Sequence, residues 1–226
     1  LPLVLAGRNP DQATALINEL GYASAYHLDI SQPVSLHGMR LRAIIAASND
    51  PQDHLLLAAL RYAIPYVDIT RWTERVRLGL ALTEGKVIQS PVMFSSAWMA
   101  GVAAVICVHM ARQLQKVDQV DISVLYSMKD KAGPNSIEYM DRLATPFSVR
   151  IGGKFRSVMP FTDPRRVEFP GGHCGNVYRL DTPDQLTLPE TIGASTVAAR
   201  IAFDSKLATA SLVALVRSGV WRMLSG

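Results

Sequence analysis

Residues 3–21, LVLAGRNPDQATALINELG, run an apolar strand straight into a helix. Asn9 offers a side-chain oxygen to the first free amides of that helix. Pro10 has the fixed φ that suits a first helical turn, and Gly21 can close the helix in the left-handed conformation. Ala13, Leu16, Ile17 and Leu20 recur at helical spacing, so one face is expected to pack on a sheet. The same grammar continues outward. Strands are expected at 24–29, 42–48, 66–69 and 86–94, with helices at 33–38, 51–63, 72–84 and 98–115. Asn49 or Asp50 before Pro51 repeats the Asn9 and Pro10 device. Strands and helices that alternate in this way predict a parallel sheet with helices on both faces.

After Lys116 the pattern changes. Residues 117–128, VDQVDISVLYSM, place Val120, Ile122, Val124 and Tyr126 on one face, which suits a half-buried antiparallel strand. Residues 148–159 read as a hairpin through Gly152 and Gly153. A strand near TVAARIAF precedes an amphipathic helix at 205–219 that ends at Gly219. The expectation is therefore two domains, 1–116 and 117–226, the second a mixed α+β domain.

Length and composition set outer bounds. With 226 residues, 49% of them hydrophobic and 19% charged, the chain can bury a sizeable core. The formal charge of +4 permits anionic ligands, but the basic residues are scattered, so a nucleic-acid stripe is not expected. Residues 87–111 contain no Asp, Glu, Lys or Arg, and Pro91, Ser95, Ser96 and Gly101 divide them into a strand and a core helix rather than a membrane span. Only Cys107 and Cys174 occur, which implies no disulfide framework and a reducing compartment, the cytoplasm. Cys107 and His109, two apart on a helix, cannot grip one metal, and no metal site is expected.

In open parallel sheets ligands bind beyond the carboxyl ends of the strands, so the candidate site residues lie in those turns. Gly7 and Arg8 follow the first strand. An Arg there accommodates the 2′-phosphate of NADP, the alternative being a solvated loop cation. Asp29 can border the adenine or cap a helix; Asn49 and Asp50 stand where a nicotinamide would approach, or serve as caps. Arg71 and Arg179 are candidates for a substrate carboxylate. Ser96 and Trp98 are candidates to wall the same cleft, beside readings as cap and core residue. The loop 169–176, FPGGHCGN, lacks the following helix of a phosphate loop, because VYRLDTPDQLTLP continues it with two prolines and strand-like alternation. Lys129, Lys131, Tyr139 and His173 are the candidate proton donors. No Tyr stands four residues before a Lys, and no Gly-x-Ser-x-Gly elbow occurs.

The stretches LVLAGRNPDQATAL, YHLDISQPVSL, LRAIIAASNDPQDHLLLAALRYAIPYVDIT and VMFSSAWMAGVAAVICVHMA together make residues 3–112 resemble the saccharopine dehydrogenase-like oxidoreductases. Residues 117–226 look like part of that family's substrate and dimerisation domain. The resemblance implies a Rossmann-type half that takes NADP or NAD, a small-molecule substrate that is amino-acid-like or an imine, and a homodimer. It also implies a first strand and a Gly-rich turn ahead of the stretch at 3–6, so that a central strand is expected between 3–6 and 42–48. The rival expectation is a non-catalytic Rossmann-fold remnant that acts as a dimeric binding protein.

Overall fold

The computed structural model describes residues 2–94, 101–130, 140 and 142–224. They fall into two compact units, one made of Leu1–Ile69 and Gly79–Phe94, the other of Thr70–Leu78 and Ser95–Gly226.

In the first unit β1 (Leu3–Gly7) pairs in parallel with β2 (Ala23–His27), from Leu3 opposite Ala23 to Gly7 opposite His27. A 3-10 turn at Pro10–Ala13 leads into α1 (Thr14–Leu20). The end signals act as expected. Asn9 Oδ1 accepts the Asp11 N–H at 3.2 Å, and Gly21 closes the helix at φ 70°, donating its N–H to the Ile17 carbonyl at 2.9 Å. The packing face is less complete than the spacing predicts: Ala13, Ile17 and Leu20 are half-buried, and Leu16 stays 45% exposed. Two strands about 4.8 Å apart are narrower than a helix of about 10 Å and cannot cover its whole apolar face.

A second parallel sheet has the order β3 (Ile44–Ala46), β4 (Tyr66–Asp68), β5 (Val92–Phe94), with α2 (His54–Arg61) between β3 and β4, and α3 (Thr73–Thr83) between β4 and β5. Leu55, Leu56, Ala58 and Ala59 of α2 close its core with Ile44, Ala46, Ile64 and Tyr66. β1 and β3 are not hydrogen-bonded to each other, so the five parallel strands form two sheets, and among the described residues each of these two strands keeps one open edge.

Two expected elements of this unit differ. Residues 33–38 form no helix: the segment is a loop that buries Leu36, turns through the Met39 N–H to Leu36 carbonyl bond at 3.1 Å, and passes Gly38 at φ 77°. Six residues that begin at a proline offer too few bonds to offset helix nucleation. The strand expected over 86–94 shrinks to its last three residues. Pro91 has no N–H for a ladder; only its carbonyl is used, by the Tyr66 N–H at 2.9 Å.

The second unit is built on a mixed sheet in the order β6 (Gln119–Tyr126), β11 (Thr196–Phe203), β10 (Cys174–Arg179), β9 (Arg165–Glu168), with a separate hairpin of β7 (Phe147–Ile151) and β8 (Lys154–Val158). Helices α4 (Val102–Ala111), α5 (Asp184–Ile192), α6 (Lys206–Arg217) and α7 (Val220–Leu224) complete it. Gly152 and Gly153, at φ 57° and 79°, make the tight hairpin turn that their spacing predicts. Ile122 is buried with Val120 and Val124 packed beside it, and Tyr126 packs on a second cluster that holds Leu143, Phe161 and Ile201, as the alternation requires, but β6 pairs with β11 in parallel, not antiparallel. Alternation reports which face is buried and carries no information about strand direction. The stretch after residue 183 is helix α5, not a strand, with Pro183 at its amino-terminal end and Pro189 inside it. α4, which the change of pattern at residue 116 leaves with the first half, packs Ala103, Ala104, Cys107 and Val108 onto Ile122, Leu188, Val197 and Ala199.

Candidate functional site

In the first unit the turns at the carboxyl ends of the parallel strands hold the residues singled out for a dinucleotide. Gly7 ends β1, and its carbonyl accepts the Leu28 N–H at 2.9 Å, which brings the turn after β2 alongside. Arg8 is exposed and close enough to Asp29 for its charge to favour the carboxylate. Hydrogen bonds from Ser31, one of them its N–H at 2.9 Å, are the main cause that holds Asp29 below the usual carboxylate range; Arg8 and His27 add to it. Asn49 is half-buried and Asp50 fully buried after β3. The Asp50 carboxylate is committed to the start of α2, accepting the His54 N–H at 3.1 Å and the Leu55 N–H at 2.7 Å.

The second unit brings charged groups together on one face of its sheet. Alternation along β11 sends Val197, Ala199 and Ile201 into the core and leaves Arg200 on the other face. Each strand supplies one charged side chain there: Asp121 from β6, Arg200 from β11, Arg179 opposite it on β10, and Arg165 from β9. Arg200 is 1% and Arg179 5% exposed. Arg200 Nη1 donates to Asp121 Oδ1 at 2.6 Å, and Arg165 Nη1 to Asp121 Oδ2 at 2.7 Å. Asp163, from the loop before β9, receives Arg200 Nη2 at 2.5 Å and Arg179 Nε and Nη2 at 2.9 Å. Burial pushes the Asp163 carboxyl up, but the two arginines outweigh it and hold it below its ordinary value. Arg179 is pushed down by desolvation and by Arg200 beside it.

A second polar group lies in the same unit. Arg142 stacks 4.0 Å from the Trp72 ring centroid, with Arg75 6.0 Å from the same ring; Arg71 is buried and donates to the Arg75 carbonyl at 3.2 Å. Asp181, two residues after Arg179, is pushed above the usual carboxylate range, chiefly by burial and also by Glu74, against the pull of Thr73 and Arg142. Among the described residues no three His, Cys, Asp or Glu side chains are placed to hold a metal ion. Both cysteines are free, and no described helix is long and apolar enough to cross a membrane.

Of the proton-donor candidates, Lys129 is exposed in the turn after β6. There Asp204 gathers the Met128 N–H at 3.1 Å and the Ser127 hydroxyl at 2.8 Å, and the Lys129 charge favours the carboxylate. His173 sits in the β9–β10 turn, its ring 6.2 Å from that of Phe169. Six extended residues, about 20 Å, separate it from Arg179, so the two do not share a site. Lys131, Tyr139, Ser96 and Trp98 lie outside the described residues. Sequence reasoning missed Asp163, Arg200, Asp121, Arg165 and Asp181. The available signal was Arg200 itself, a charge inside the apolar strand TVAARIAF, since a buried arginine needs partners.

No protein-family model matches the chain, and no curated protein matches it. Among solved structures it is similar to apo histidine-tagged saccharopine dehydrogenase (L-Glu forming) from Saccharomyces cerevisiae, with a TM-score of 0.60 and 16% identity over 88% of this chain and 49% of that one. The chain thus spans about half the length of that protein, and the likeness is one of fold: α/β, with Rossmann-type parallel strands and a mixed-sheet second unit.

Proposed function

We propose that this protein is an NADP(H)-using oxidoreductase of the saccharopine dehydrogenase-like kind, acting on the carbon–nitrogen bond of an amino-acid-like or imine substrate. The observation that carries the reading is the exposed Arg8 at the carboxyl end of β1, beside the turn that follows β2. An unburied cation at that edge fits the 2′-phosphate of NADP, whereas an acidic residue would fit the ribose hydroxyl of NAD. The residues present fit the adenosine end of the cofactor. Gly7 leaves its approach open, with nothing within 4 Å of where a Cβ would stand, and Asp29 borders the adenine side. Asn49 and Asp50 flank the nicotinamide side, Asp50 through the helix start that it holds. Bound NADPH supplies a hydride, and the chain supplies position and charge.

On the substrate side Arg179 and Arg71 are the carboxylate partners, with Ser96 and Trp98 as wall residues. Lys129 and Tyr139 remain candidates to move the proton, His173 standing too far along β10 from Arg179 to join them, and Asp181 is added, because a carboxyl that holds its proton to higher pH is a better donor. A homodimer belongs to the same proposal, and sedimentation equilibrium is its check. The test of the cofactor reading is a fluorescence titration with NADPH and NADH. Saturable binding with NADPH the tighter ligand is expected; no binding of either supports the non-catalytic alternative, and tighter NADH binding removes the role given to Arg8.

A further inference from the structure

The charged face of the β6–β11–β10–β9 sheet carries three guanidiniums against two carboxylates, and the two carboxylates are held differently. Asp121 belongs to a strand and takes Arg200 and Arg165 on separate oxygens. Asp163 belongs to a loop, its side chain is 48% exposed, and its carboxylate meets both buried arginines through Oδ2 alone, while its backbone carbonyl accepts Arg200 Nε at 3.2 Å. A guanidinium matches a carboxylate best through two parallel N–H···O bonds to two oxygens, and here one oxygen serves two arginines. Arg179 Nη1 is left buried with no partner among the described residues. The loop is also strained. Phe161 and Asp163 stand at φ 56° and 50°, where a residue with a side chain costs about 1–3 kcal/mol.

Resting on the proposed role of Arg179 toward a substrate carboxylate, we infer that Arg179 and Arg200 together form the binding site for a ligand carboxylate, and that Asp163 is its resident occupant, displaced when the ligand arrives. The solvent-facing position of Asp163 gives the ligand a route to the buried pair. Rotation of one exposed side chain frees Arg179 Nε and Nη2 and Arg200 Nη2, while the backbone of the loop stays in place, with the Asp163 carbonyl still on Arg200 Nε, the Phe161 N–H on the Arg179 carbonyl at 2.8 Å and the Arg179 N–H on the Thr162 carbonyl at 3.1 Å. Asp121 keeps Arg200 in place meanwhile. Part of the positive charge of the empty site is thus offset by Asp163, and its affinity for external carboxylates is lowered by a competitor built into the chain.

The test is calorimetric titration with glutarate, a plain dicarboxylate, of the unaltered protein and of Asp163→Asn, Asp163→Gly and Asp121→Asn. Glycine removes the carboxylate and also suits the left-handed backbone, so the two Asp163 variants fail to fold for different reasons, if they fail. Loss of a competitor held by charge-assisted hydrogen bonds predicts glutarate binding about tenfold tighter in both Asp163 variants. Asp121→Asn should show no tightening. Unchanged or weaker binding in the Asp163 variants, equal tightening in Asp121→Asn, or loss of folded protein in both Asp163 variants overturns the inference, the last because a carboxylate that the fold requires cannot be displaced. NADPH titrated into the same samples reports the cofactor reading separately.

Discussion

Arg8 and Asp181 are each described by what surrounds one charge. Arg8 is exposed and acts by its charge on Asp29, so its removal leaves the fold intact and changes what the β1 edge attracts. Arg8→Ala is predicted to weaken NADPH binding about tenfold or more, by loss of a charge-assisted contact to phosphate, and to leave NADH binding nearly unchanged, as read by fluorescence titration. Asp181 is disfavoured as an anion in the folded protein, so its proton is held to higher pH than in the unfolded chain. Below the ordinary carboxylate range both states keep the proton and the residue costs nothing. As pH rises through the raised folded value, the unaltered protein loses stability that Asp181→Asn retains. Urea midpoints should therefore coincide near about pH 3 and separate in favour of Asp181→Asn by about pH 7. Coincidence across that range would mean that Thr73 and Arg142 fully compensate the burial.

The helix starts were the most legible elements, because capping needs only local chemistry. Asn9, Pro10 and Gly21 act where their spacing places them, and Asp50 opens α2. Asp50→Ala leaves the buried Leu55 amide and the partly buried His54 amide without this acceptor; it is predicted to cost roughly 1–2 kcal/mol and to speed hydrogen exchange at His54 and Leu55 before other α2 amides. Elements decided by distant contacts were read less well. The loop at 33–38 is fixed by the burial of Leu36, and the direction of β6 by pairing with β11 some seventy-five residues later in the chain. For α5, the two prolines and the alternation both spoke against helix. Yet Gln185 within it donates to the Leu180 carbonyl at 2.8 Å and accepts the Ala199 N–H at 3.0 Å, tertiary bonds that local propensity cannot register. The same holds for the charged face of the sheet. Arg179 is visible as a candidate, but its bond to Asp163, and that of the adjacent Arg200 to Asp121, exist only in the folded sheet β6–β11–β10–β9.

Across the whole chain, the alternation of elements up to residue 94 yields parallel strands, and the change of pattern after residue 116 yields a mixed sheet. β1 and β3 are not hydrogen-bonded to each other, and among the described residues each keeps one open edge. Carboxyl-end turns hold Gly7, Arg8, Asp29, Asn49 and Asp50 in the first unit, which is the edge where such folds place a dinucleotide. That placement is the centre of the functional account. It is tested most directly by titrating NADPH into isotope-labelled protein and following backbone amide shifts. The account predicts saturable shifts at Gly7, Arg8, Leu28, Asp29 and Asn49, reduced in Arg8→Ala; shifts confined to the second unit, or none that saturate, would contradict it.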